Sequence, residues 1–250
     1  KKVRTDTDIG ASPVSVASAA VHLAQQFFAG FKKHTALLVG AGVTIELVAK
    51  HLVSNEIGRL FVANRSIERA QELAGQFGGF ALPLSEIEGT LPEADILITS
   101  TAATEPVVTT AQVEAAIKAR KRKPIFACDI AVPRDIDTSV ADIENVYLYD
   151  IDDLQKIAAE NLARRRTDGE MQAYRELVQQ FMGIVVKRAR RVEEINSAHF
   201  LQTNKVFIIA RTVEEKLVDL ARRITEGTAD ALEITASTSE IRGMLFDMRG

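Results

Sequence analysis

The segment of this 250-residue chain best suited by residue type and spacing to chemistry is Gly40-Ala41-Gly42-Val43-Thr44-Ile45. It follows the apolar run Thr35–Val39 and precedes the helical period Ile45, Leu47, Val48, His51, Leu52, so the order is strand, glycine turn, helix. That is where dinucleotide-binding folds carry their glycine fingerprint. Gly40 would permit the tight turn, and Gly42 would let the backbone approach a pyrophosphate over the helix N-terminus. Free N–H groups and the helix dipole favour negative charge there. Ile45 stands where the third glycine belongs. Two glycines after a strand are also a common structural turn, so this segment alone does not decide between the two readings.

The end of the next apolar run, Arg59–Ala63, bears on the choice. An acidic residue there would accept ribose hydroxyls, but this chain has Asn64-Arg65-Ser66, with Arg69 one turn further on. A guanidinium beside a hydroxyl suits a ribose 2'-phosphate, because arginine offers a planar fork of donors to phosphate oxygens. The expected cofactor is therefore NADP rather than NAD; the competing reading is a solvated arginine in a surface turn. Ser100-Thr101-Ala102 and Asp129-Ile130-Ala131 end two later strands on the same carboxyl edge, where open α/β sheets collect ligands. Their small residues leave room for a nicotinamide ring, or serve close packing.

Other candidates offer less. His22, His34, His51 and His199 lack ligand spacing, so no metal site is expected. Cys128, the single cysteine, lies inside an apolar strand and reads as a small core residue rather than a nucleophile. One cysteine allows neither an internal disulfide nor a cysteine-rich zinc site, which fits a reducing, cytoplasmic setting. The basic clusters Arg164-Arg165-Arg166 and Lys187 to Arg191 read as solvated helix faces, with RNA contact as the alternative. A formal charge of -3 gives no bulk attraction to nucleic acid. With 46% hydrophobic and 26% charged residues the chain is neither disordered nor collagen-like. No apolar run approaches the ~20 residues that would span a bilayer, so no membrane association is expected. The chain starts with Lys-Lys and carries no signal-peptide pattern, which reads as a fragment or a processed chain.

These residues need elements to position them. Residues 12 to 31 have helical spacing, and the polar turn Asn64–Ser66 leads into a helix with Ile67, Ala70, Leu73, Ala74 and Phe77 on one face. Further strands are read at 80–84, 94–100, 124–129 and 145–149, with a helix at 110–120. Strands that are apolar throughout and separated by helices indicate a parallel sheet covered on both faces. The fold class is α/β: a doubly wound, Rossmann-like parallel sheet over residues 1–150, followed by a long helix and an all-α region over 151–250. From Asp152 to Ile195 apolar residues recur every three to four positions, with Gly169 the weak point. If continuous, that helix of roughly 45 residues would run about 65 Å and need other helices against it. Residues 205–225 supply one; the last 25 residues mix helical spacing around Ile241, Leu245 and Phe246 with the β-branched run Ile234 to Thr238.

Several strings together resemble the glutamyl-tRNA reductase family: Val3 to Gly10, Leu37 to Gly42 with Thr44 to Ala49, Ala63 to Ser66 with Glu68 to Ala70, Glu93 to Ile96, Ser100 to Ala102, Asp129 to Ile136 and Val146 to Tyr149 with Asp152 to Leu154. The resemblance runs from about residue 3 to about residue 182. It implies an enzyme of three parts: a catalytic domain with a nucleophilic cysteine, an NADPH domain, and a helical dimerisation domain reached through a spinal helix. The cysteine attacks the ester linking glutamate to its tRNA, and hydride reduces the thioester to glutamate-1-semialdehyde for tetrapyrrole synthesis. This chain matches the second part and the start of the third, so no catalytic residue is expected in it. Gly40 to Ile45 would form the nucleotide loop, and Asn64, Arg65 and Ser66 would hold the 2'-phosphate. The implied partners are glutamyl-tRNA, a second copy through the C-terminal helices, and a downstream aminomutase. The rival readings are a shikimate-dehydrogenase-like NADP oxidoreductase and a non-catalytic NADP-binding dimerisation module.

Overall fold

The computed structural model describes residues 16–195 and 200–249. The string Val3 to Gly10, the start of the expected helix at residues 12–15, and His199 lie outside the described residues. The chain divides into two compact units, one over Val16–Leu154 and one from Gln155 onward.

The first unit begins with α1 (Val16–Phe27), shorter at its C-terminal end than the spacing suggests; Gly30, at φ 148°, follows in the connecting turn. Then come β1 (Thr35–Val39), α2 (Val43–Ser54), β2 (Arg59–Asn64), α3 (Ile67–Gln76), β3 (Phe80–Pro83), the short α4 (Ile87–Thr90), β4 (Ile96–Thr99), α5 (Thr110–Ala119), β5 (Ile125–Asp129) and β6 (Val146–Asp150). All six strands pair in parallel in the order β3-β2-β1-β4-β5-β6. The doubly wound reading is thus the observed fold. Every residue of β1, β4 and β5 is buried, as a sheet covered on both faces requires.

On one face Leu37, Val39, Leu97 and Ala127 meet Ile87, Leu91, Val113 and Ile117. Elsewhere the ring of Phe27 at the end of α1 packs tilted against Phe126 at 5.2 Å and Tyr147 at 5.1 Å, which fixes that helix over β5 and β6. Aromatic pairs of this spacing add to the gain from burial alone. The amino edge is tied by Arg120, which donates to Asp95 Oδ1 at 2.7 Å and to the carbonyls of Pro92, Lys123 and Pro124. Burial raises the Asp95 carboxyl, but bonds from Arg120 and the Thr35 amide outweigh it and hold the group below its ordinary range.

After β6 the chain enters α6 (Ile151–Arg165), α7 (Asp168–Ile195), α8 (Phe200–Thr225) and α9 (Ala231–Arg249). The single long helix expected from the periodicity is therefore two helices. Arg166 takes a left-handed φ of 53°, ending α6, and Thr167 Oγ1 accepts from the Glu170 amide at 3.2 Å, starting α7. The break falls three residues before Gly169. The ambiguous C-terminal stretch is helical: Ile234, Thr238, Ile241, Leu245 and Met248 lie on the buried stripe of α9. Among the described residues no helix is long and apolar enough to cross a membrane.

Candidate functional site

Strand order reverses between β1 and β4, and the chain leaves those two strands in opposite directions. The crevice beyond their carboxyl ends is the expected ligand position in such a sheet. A cleft of about 540 Å³ opens there, walled by Gly40, Ala41, Gly42, Asn64, Arg65, Ser66 and Arg69 on one side, and by Ser100, Thr101, Ala102 and Ala103 on the other. That volume lies within the range of small-molecule and cofactor sites.

Gly40 is dictated by the turn. Its φ is 115°, its amide donates to Ala63 O at 2.7 Å, and a Cβ there would stand 2.3 Å from Ser100 O. No side chain could be accommodated. Gly42 differs: its φ of -93° suits any residue, and a Cβ would meet nothing within 4 Å. It is the N-cap of α2, and no side chain caps that helix, so the first-turn amides face the cleft end without a side-chain acceptor. Ile45 is fully buried where the third glycine of the fingerprint would stand, and it packs α2 against the turn.

At the end of β2, Asn64 donates to Ser66 O at 3.0 Å and shapes the turn. Ser66 caps α3 by accepting from the Arg69 amide, while its own hydroxyl donates to Glu68 at 2.6 Å. Arg65 and Arg69 are exposed on the cleft wall and have no ionic partner among the described residues. Two guanidiniums without an ionic partner among the described residues suit a phosphorylated ribose, whereas the Ser66 hydroxyl is spent on Glu68 and the helix cap.

The opposite wall is held by two buried carboxylates. Asp129 accepts from Thr99 Oγ1 at 2.9 Å and from the amides of Ala131, Asp135 and Ile136, so it clamps the loop after β5. Asp135 accepts from the Thr101 amide at 2.6 Å and from the Thr101 hydroxyl, clamping the loop after β4. Burial raises both groups, against the opposing pull of these hydrogen bonds; Asp135 reaches about 6, with Asp129 nearby adding to the rise.

Of the fifteen expected cofactor residues, the structure brings Gly40, Ala41, Gly42, Asn64, Arg65, Ser66, Ser100, Thr101 and Ala102 to one cleft. Six do not line it. Val43 and Thr44 begin α2, with Val43 75% exposed, and neither lines the cleft. Ile45, Ile130 and Ala131 are core residues, and the Asp129 carboxylate is spent on the loop. Leu84 and Val107 complete the wall and were not singled out by the sequence. They arrive from the end of β3 and the loop after Thr101, and no local pattern marks them. Cys128 is fully buried, and burial together with Asp129 pushes its thiol well above the ordinary range, so it is no nucleophile.

A six-stranded parallel sheet with a glycine-turn cleft at its switch point defines a Rossmann-like nucleotide-binding protein. More narrowly, the family model described as Shikimate / quinate 5-dehydrogenase matches residues 22–157, over half of the chain, and the chain belongs to that family. A second model, described as a protein of unknown function (DUF327), matches residues 147–249. The chain is 55% identical over 166 residues to a glutamyl-tRNA reductase of Xanthomonas campestris pv. phaseoli, covering 66% of this chain and 39% of the relative. Its counterpart in Xanthomonas axonopodis pv. citri (strain 306) matches at the same identity and the same coverage. The solved glutamyl-tRNA reductase of Methanopyrus kandleri is 32% identical with a TM-score of 0.58, over 98% of this chain and 65% of that one. These findings bear out the resemblance read from the strings between Leu37 and Leu154. The chain spans about 39% of the length of the curated relatives it matches.

Proposed function

We propose that this chain is the NADPH-binding and helical portion of a glutamyl-tRNA reductase, the enzyme that reduces glutamyl-tRNA to glutamate-1-semialdehyde for tetrapyrrole synthesis. The observation that carries the reading is the cleft at the switch point, with its open Gly42 cradle and with Arg65 and Arg69 on its wall, unpaired among the described residues. Similarity at 55% identity to glutamyl-tRNA reductases supports this enzyme over a shikimate-dehydrogenase-like one. The match to the Methanopyrus enzyme over 98% of the chain extends that support into the helices.

The residues fit the cofactor. The turn at Gly40–Gly42 and the amides of Val43 to Ile45 would hold the pyrophosphate; Arg65 and Arg69 would neutralise the 2'-phosphate; Ser100, Thr101 and Ala102 would bound the nicotinamide end. When bound, NADPH supplies the hydride for reduction. Asp135 keeps Thr101 in place through two hydrogen bonds, and Asp129 holds the adjoining loop, so the wall is set before any ligand arrives. The helices α7, α8 and α9 would serve pairing with a second copy. Exposed Ile208, Val218, Leu232 and Phe246 on that unit support this reading. A cytoplasmic location and an aminomutase taking the product complete the proposal.

A chimera tests the activity. Residues 22–182 of this chain, replacing the matching segment of a full-length relative, should sustain glutamyl-tRNA-dependent NADPH oxidation. A folded chimera that binds NADPH yet shows no turnover would support the non-catalytic module instead.

A further inference from the structure

The helical unit holds a cavity of about 210 Å³ between α6, α7 and α9, remote in sequence from the glycine turn. Gln155 on its wall is only 2% exposed, and neither its amide nitrogen nor its amide oxygen has a partner among the described residues. Nearly all buried polar groups are paired, so an amide unmet at both ends marks a place where a donor and an acceptor from another molecule belong. Two of the neighbouring polar groups are already committed. Thr238 Oγ1 donates to Thr235 O at 3.2 Å, and the Tyr174 hydroxyl donates to Thr238 O at 3.4 Å.

Charge narrows the ligand. Lys156 and Arg242 both line the cavity and form no ion pair among the described residues. Glu160 lines the same cavity, likewise without an ion-pair partner among the described residues. Two cations and one carboxylate are the complement of two carboxylates and one ammonium, and a carboxylate oxygen with a spare ammonium N–H would meet both ends of the Gln155 amide. The volume is below the range of drug-sized ligands, which limits the occupant to a small metabolite.

We infer that this cavity binds a small dicarboxylic amino acid, with Arg242 and Lys156 taking the carboxylates, Glu160 the ammonium, and Gln155 bridging the buried end. A second ligand site on the helical unit would let metabolite binding influence that unit independently of the cleft in the sheet; the inference does not rest on the cofactor reading.

Calorimetric titration of the full chain with L-glutamate, L-aspartate, succinate and L-lysine tests it. At least one of the two dicarboxylic amino acids should bind saturably, succinate at least tenfold more weakly because it lacks the ammonium, and L-lysine not at all. Arg242→Met and Lys156→Met should each weaken the amino acid about tenfold, and Glu160→Gln should bring it to the level of succinate. Both cations are exposed, so these variants should keep the wild-type circular dichroism spectrum. Absence of saturable binding, succinate equal to the amino acids, or folded Arg242→Met binding like wild type would overturn the inference.

Discussion

Asp135 shows how much one buried side chain can contribute. Its carboxyl sits at about 6, against an ordinary 3.8, chiefly because burial disfavours the charge. Between pH ~4 and ~6 the folded chain keeps a proton that the unfolded chain has lost, so this group's contribution is full below pH ~4 and is lost as pH rises through 6. Asp135→Asn removes that slope. In urea unfolding the variant should gain on wild type between pH 4.5 and pH 7, by at most about 2 kcal/mol at ~1.4 kcal/mol per tenfold; a gap that does not change with pH would contradict the assignment. Residue identity made part of the cleft legible. Asn64-Arg65-Ser66 at a strand end carries its chemistry in its types, and both Arg65 and Arg69 lie on the wall without an ionic partner among the described residues. Asp129 was not legible in this way. An acid at a strand end reads equally as a ligand contact or a loop clamp, and the choice depends on Ala131, Asp135 and Ile136 returning to it.

At the scale of elements, the two glycines of one turn separate folding from binding. Gly40→Ala would place a methyl 2.3 Å from Ser100 O at a φ of 115°, and should cost about 2–5 kcal/mol in chemical denaturation. Gly42→Ala meets open space at an ordinary φ, so stability should stay within about 0.5 kcal/mol while NADPH affinity falls about tenfold through the filled cradle. Equal stability loss in both variants would contradict this division. The break between α6 and α7 has a similar lesson. Apolar periodicity runs through Arg166 and Thr167 without a proline, so pattern alone reads one helix, yet Thr167-Asp168-Gly169-Glu170 has the spacing of a helix start. Thr167→Ala removes the cap and should lower the stability of the helical unit by about 1 kcal/mol, read from the urea midpoint. The strands were the most legible elements, because each is a short buried run set off by turn residues, whereas Leu84 and Val107 enter the cleft only through the fold.

For the molecule as a whole, the sheet and the helices are distinct units, and the proposed roles divide between them. Sedimentation equilibrium of the chain should give twice the monomer mass, and Phe246→Glu combined with Ile208→Glu should shift it toward the monomer, since both side chains are large, apolar and exposed. A wild-type monomer at micromolar concentration would remove the pairing role. The central claim is the NADPH site at the switch point of the sheet. It is tested most directly by titrating the chain with NADPH and with NADH, following reduced-nicotinamide fluorescence, for wild type and Arg65→Ala. The account predicts a clear preference for NADPH in wild type and a loss of about 1.5 to 3 kcal/mol for NADPH alone in the variant. Equal affinity for the two cofactors, or an equal loss for both, would contradict it.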